Sequence, residues 1–117
     1  MANPTAVQAR TFSELIAAQV TSWPGVRAGP GGFGSLAFAL GRRELGHLHG
    51  DHAAHFAFPK QVRAQLLEQQ RVVPHPVASP GLAARRIESQ ADVDEVLALM
   101  RLNYDRLVER YGLPGEG

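Results

Sequence analysis

Four of the five histidines fall within nine residues: His47, His49, His52 and His55, with Glu44 before them and Asp51 among them. Imidazole is the side chain that titrates nearest neutral pH and is the commonest metal ligand, so the cluster points to proton transfer or metal binding. His47, His49 and His52 have the spacing H-x-H-x-x-H, which offers three imidazoles and an open position to zinc or another first-row metal. The spacing is not a defined signature, and the same rings serve equally as pocket lining or as hydrogen-bonded residues near a sheet edge. Glu44 and His55 form a second candidate arrangement, a carboxylate able to orient an imidazole base or to make a plain surface ion pair. His75 lies between Pro74 and Pro76, which hold its backbone extended, a stiffness suited to aiming a side chain into a site.

Other chemistries lack their signatures. The chain has no cysteine, which removes disulfides, thiolate ligands and a Cys nucleophile. There is no G-x-S-x-G elbow and no H-E-x-x-H pair. The glycines of residues 28–32 lack the Lys-Ser/Thr of a phosphate loop and read as a flexible connection. A net charge of +1 gives no general attraction to nucleic acid or anionic lipid. No apolar run approaches the roughly 20 residues of a membrane span, and residues 1–10 lack the apolar core of a secretory signal. The expectation is a cytoplasmic protein with a small-molecule partner, no nucleic acid, no membrane and no cofactor. The oligomeric state stays open.

The elements that must position these residues follow from spacing and punctuation. The length of 117 residues suits one core. Residues 1–10 read as a flexible tail and residues 11–112 as a single domain. Thr11 and Glu14 make a capping box before a helix with Phe12, Leu15, Ile16 and Val20 on its apolar face, stopped by Trp23-Pro24-Gly25. Ser35–Leu40, Glu44–His49 and His52–Phe58 read as three strands of a meander, turning at Arg42-Arg43 and Gly50-Asp51. A short helix from Pro59 to about Gln70, a fourth strand at Leu82–Ile87 and a long helix from a Ser89 cap to Tyr111 complete the chain. The fold class is α+β, an antiparallel sheet of about four strands packed against helices in the order α-β-β-β-α-β-α.

With two-residue turns, Phe38 faces His47, Leu36 faces His49, and His49 faces His52. Side chains alternate across a strand. This register puts His47, His49 and His52 on one face with Phe38, Phe56 and Phe58, and puts Glu44, Leu48 and His55 on the other. The expected pocket therefore combines imidazoles with phenyl rings. A one-residue slip would redistribute the whole set. On the last helix Tyr104 falls on the apolar stripe, which favours packing with its hydroxyl at the rim.

The pattern resembles a known family. Trp23-Pro24-Gly25-Val26 leads to Gly41-Arg42-Arg43-Glu44-Leu45-Gly46-His47-Leu48-His49, then Phe58-Pro59-Lys60, Pro74-His75 and Leu99-Met100-Arg101-Leu102-Asn103-Tyr104. Over roughly residues 12–108 this is similar to the luciferase-like domain of fungal luciferases and many uncharacterised bacterial proteins, and this compact chain looks more like the bacterial ones. The resemblance implies possible oxidation of an enolic aromatic by dioxygen without metal or organic cofactor, and it points to Glu44, His47, His49, His75 and Tyr104 as the residues to examine. His52 and His55 lie outside its most specific block. The expected function is a small-molecule (aromatic or enolic) binding domain with possible oxidative activity. A non-enzymatic protein-interaction module and a metal protein using the histidine cluster are the alternatives. Fold alone does not fix function.

Overall fold

The capping box closes as its spacing predicts. Thr11 Oγ1 accepts from the Glu14 amide (3.2 Å), and Glu14 Oε1 accepts from the Thr11 amide (2.8 Å). Helix α1 follows over Phe12–Val20 and buries Ile16 and Val20. The computed structural model describes residues 10–76 and 81–114, so residues 1–9 of the expected tail lie outside the described residues. After α1 come β1 (Val26–Pro30), β2 (Leu36–Leu40), β3 (Arg43–His49), β4 (Ala53–Ala57), α2 (Lys60–Glu68), β5 (Val73–Pro74), β6 (Leu82–Arg86) and α3 (Gln90–Tyr111). The fold is α+β, with the expected order of helices around an antiparallel sheet.

The sheet has six strands in the order β1-β2-β3-β4-β6-β5, which corrects the expected four. The additional strands are both at edges. β1 pairs with β2 from Val26 opposite Leu40 to Pro30 opposite Leu36. Its Gly29 and Pro30 mimic a loop in sequence, but an edge strand tolerates proline because the missing N–H need not serve a second neighbour. β5 is two residues long, Val73 opposite Ala84 and Pro74 opposite Ala83, and its proline content hides it.

Two features of the hairpins overturn the expected faces. In the first, Leu40 pairs with Arg43 and Ala39 with Glu44, but Phe38 pairs with Gly46 and Ala37 with His47. Leu45 is thus the extra residue of a β-bulge, and it shifts the alternation of β3 by one. Phe38 and His47 end up on opposite faces. In the second hairpin His49 pairs with Ala53 and His47 with His55, so three residues, Gly50, Asp51 and His52, form the loop. The longer loop brings His55 to the face of His47 and leaves His52 in the turn.

The inward face carries Phe38, Leu45, Leu48, Ala54 and Phe56, all at most 1% exposed. Against it lies α3 with Val93, Val96, Leu99, Met100, Tyr104 and Leu107. Each large apolar side chain buried this completely contributes roughly 1.5–3 kcal/mol. Gly46 is required at this interface. A Cβ there would sit 2.9 Å from Met100 Cε, 2.9 Å from Phe56 Cδ1 and 3.0 Å from the His55 carbonyl oxygen. Asn103 of α3 serves the bulge, its Nδ2 donating to the carbonyls of Leu45 (3.0 Å) and Ala57 (3.2 Å). Ser89 and Asp92 start α3: the Asp92 amide donates to Ser89 Oγ, and the Glu88 amide to Asp92 Oδ2.

Candidate functional site

The outward face of the central strands holds the imidazoles. His47 and His49 stand two residues apart on β3 and therefore on the same side. His55 of β4 is the direct cross-strand partner of His47. The ring centroids are 5.0 Å apart for His47–His49, 5.2 Å for His47–His55 and 4.4 Å for His49–His55. His75, in the segment after β5, brings a fourth ring to 4.2 Å from His55. Its Nε2 lies 3.0 Å from His55 Nδ1, so one of the two rings donates to the other. On β6 the cross-strand partner of His55 is Ala84.

Glu44 joins this group because of the bulge. Three residues apart on a regular strand, Glu44 and His47 would point to opposite faces. The extra Leu45 restores them to one face, and Glu44 Oε2 lies 2.9 Å from His47 Nδ1. With the carboxylate accepting, His47 donates from Nδ1, which turns the other ring nitrogen, Nε2, away from Glu44.

The four imidazoles and Glu44 line an open groove of about 420 Å³, completed by Gly32, Phe33 and Pro76. Burial lowers the pKa of His49, and the neighbouring His47 and His75 lower it further. The same causes, burial first and then His75, His49 and His47, push His55 down to about 4. At neutral pH both are uncharged rings whose lone pairs can accept a hydrogen bond or ligate a metal.

Of the residues singled out in the sequence, the structure brings Glu44, His47, His49 and His75 together. It does not bring Tyr104 to them. Tyr104 is buried in the core at α3, its hydroxyl donating to the Pro24 carbonyl (2.7 Å) and its ring 5.4 Å from Trp23. His52 is also elsewhere, exposed in the turn beside Asp51, Thr11 and Phe12. The expected His47–His49–His52 grouping is therefore corrected to His47–His49–His55, and the expected Glu44–His55 partnership to Glu44–His47. The phenyl rings of Phe38, Phe56 and Phe58 are in the core and not in the groove. Both hairpin irregularities cause this, because each flips a set of side chains to the other face.

The family model for the Luciferase domain matches residues 42–103, more than half of the chain. The chain belongs to the luciferase domain family. That segment of the luciferase domain holds Glu44, His47, His49, His55 and His75, the whole polar lining of the groove. Neither the curated proteins nor the solved structures provide a match to this chain. Among the described residues of this luciferase-domain protein, no helix is long and apolar enough to cross a membrane.

Phe33 is a groove residue that reasoning from sequence passed over. It is fully exposed, and its backbone is left-handed at φ 57° and ψ 36°. The signal was its setting, a lone large apolar residue between Gly32 and Gly34 with no regular element to bury it.

Proposed function

We propose that the groove binds a small planar molecule carrying an acidic hydroxyl, an enol or a phenol, and holds it by that hydroxyl against the imidazoles. The observation that carries this reading is the convergence of His47, His49, His55, His75 and Glu44 on one groove whose remaining walls are Gly32, Phe33 and Pro76. Apolar walls with a few convergent polar groups are the usual composition of a ligand pocket. Phe33 offers a ring face at the groove for stacking on a flat ligand.

The chemistry that such an arrangement suits is deprotonation. The ligand O–H bond breaks, its electron pair stays on oxygen, and the proton passes to an imidazole nitrogen. The resulting enolate or phenolate is the electron-rich form from which electrons can pass to dioxygen, the oxidant implied by the luciferase resemblance. On this reading the chain contributes binding, orientation and a proton acceptor.

The test is thermal unfolding with 4-hydroxy-2-pyrone and with catechol as probes. A ligand that binds only the folded chain raises its Tm with concentration. The expected result is a rise in the wild-type protein, lost in His49→Ala and retained in His52→Ala. No rise with either probe, or an equal rise in His49→Ala, overturns the reading.

A further inference from the structure

Three of the groove's imidazoles approach one another like a ligand set. His47, His49 and His55 each offer one nitrogen, and these atoms all lie within 4.8 Å of one another. In a tetrahedral site with metal–nitrogen distances of 2.0–2.1 Å, nitrogens lie about 3.3 Å apart.

We propose that His47, His49 and His55 bind a single first-row divalent metal ion. This builds on the reading of the groove as the functional site and deepens it. All three ligands stand on β3 and β4, hydrogen-bonded neighbours in the sheet, and such strands fix ligand geometry better than loops do. The outer partners are also in place. A ligating histidine normally donates its other ring N–H to a carboxylate or another acceptor, which sets its tautomer. Glu44 does this for His47 at 2.9 Å, leaving Nε2 for the ion. His75 stands in the same relation to His55 at 3.0 Å, and with His55 Nδ1 as the donor its Nε2 is also left for the ion.

Imidazoles suit zinc, copper, iron and nickel and not calcium or magnesium. Three neutral ligands leave the double charge of the ion to be offset only by the outer Glu44 carboxylate and by whatever occupies the open side. The open side of the groove leaves coordination positions for water or for the oxygen anion of a bound enol or phenol. A site with three protein ligands and an open position is the arrangement of catalytic and not structural zinc.

The test is calorimetric titration of untagged, chelator-treated protein with Zn²⁺ alone, together with the visible absorption of Co²⁺ added in its place. The expected result is one equivalent of either ion and cobalt bands of low coordination number. His49→Ala should abolish stoichiometric binding, Glu44→Ala should weaken it about 10–100-fold, and His52→Ala should leave it unchanged. Absence of stoichiometric binding to the wild-type protein overturns the proposal whatever the variants do. Binding that survives in His49→Ala, or is lost in His52→Ala, overturns the ligand set. The pyrone and catechol titrations are run on the metal-free protein as well. If they bind while neither metal does, the metal site fails and the groove reading stands.

Discussion

His47 Nδ1 lies 2.9 Å from Oε2 of Glu44, three residues earlier on the same strand. Regular β alternation forbids that contact, and the Leu45 bulge creates it. Bulges are frequent beside functional sites because they re-aim one side chain without disturbing the rest of the sheet. Here the bulge keeps Leu45 in the core and turns His47 and His49 out of it.

Removing the carboxylate should change the imidazole and not the fold. Glu44 is exposed, so Glu44→Ala is expected to alter stability by no more than about 0.5 kcal/mol. Nitrogen-15 NMR of the ring should show His47 moving from a mainly Nδ1–H population toward the Nε2–H tautomer. An unchanged His47 tautomer would mean that the contact does not orient the ring.

Gly46→Ala should be costly, although the change is one methyl. The added Cβ meets Met100, Phe56 and a backbone carbonyl at 2.9–3.0 Å. Overpacking of this kind costs about 1–3 kcal/mol, read as a Tm lowered by several degrees in thermal unfolding. An unchanged Tm would show that α3 does not hold the bulge.

Phe33→Gly separates stability from binding. A non-glycine residue at φ 57° carries roughly 1–2 kcal/mol of backbone strain, and the exposed ring buries nothing in return. The expected outcome is a Tm equal to or above that of the wild-type protein, with weaker binding of 4-hydroxy-2-pyrone. A lowered Tm would indicate that the ring packs against the domain.

The metal-free protein should lose stability as the medium turns mildly acidic. His55 has a folded pKa of about 4, below the ordinary imidazole value near 6.5. Between these values the unfolded chain binds a proton that the folded chain does not. The contribution of His55 is therefore fully present above about pH 6.5 and is lost progressively down to about pH 4. Asp92 acts in the same direction but in a lower pH window. Its carboxyl is held below the usual carboxylate range by the Glu88 amide and then by Arg85. Its contribution is present above the unfolded carboxylate value near 3.9 and fades only below it. Urea unfolding from pH 7.5 to pH 3 should show both limbs, with the upper one flattened in His55→Gln and the lower one in Asp92→Asn. An unchanged upper limb in His55→Gln would remove His55 as its source.

Much of this architecture is written locally. Capping at Thr11 and Ser89, the stops at Gly25 and Gly112, and the apolar period of α3 each depend on a few neighbouring residues, and each predicts its element. The resemblance to the family is most specific in a short block, Arg-Glu-Leu-Gly-His-Leu-His at residues 43–49, while the family model extends over residues 42–103. The faces of the sheet are not local in this sense. They depend on where one residue is inserted and on whether the loop after His49 has two residues or three. Gly46 was the available sign of the bulge, since glycine inside a strand marks a bulge or a close approach of another chain segment. The family block and the proline setting of His75 single out Glu44, His47, His49 and His75 one by one, but the regular register puts Glu44 on the face opposite His47 and His49, and only the bulge groups them. The regular register places Glu44 and His55 correctly, away from the phenyl rings, but puts His47 and His49 on the phenyl face because it lacks the extra residue at Leu45, and Tyr104 belongs to the core.

The most direct measurement is the ring nitrogen-15 spectrum of all five histidines during addition of 4-hydroxy-2-pyrone. The structure places four of them on one groove and His52 outside it. Resonances of His47, His49, His55 and His75 should move together along one saturating curve while His52 stays fixed. If His52 alone responds, or if none of the four does, the histidine groove is not the binding site.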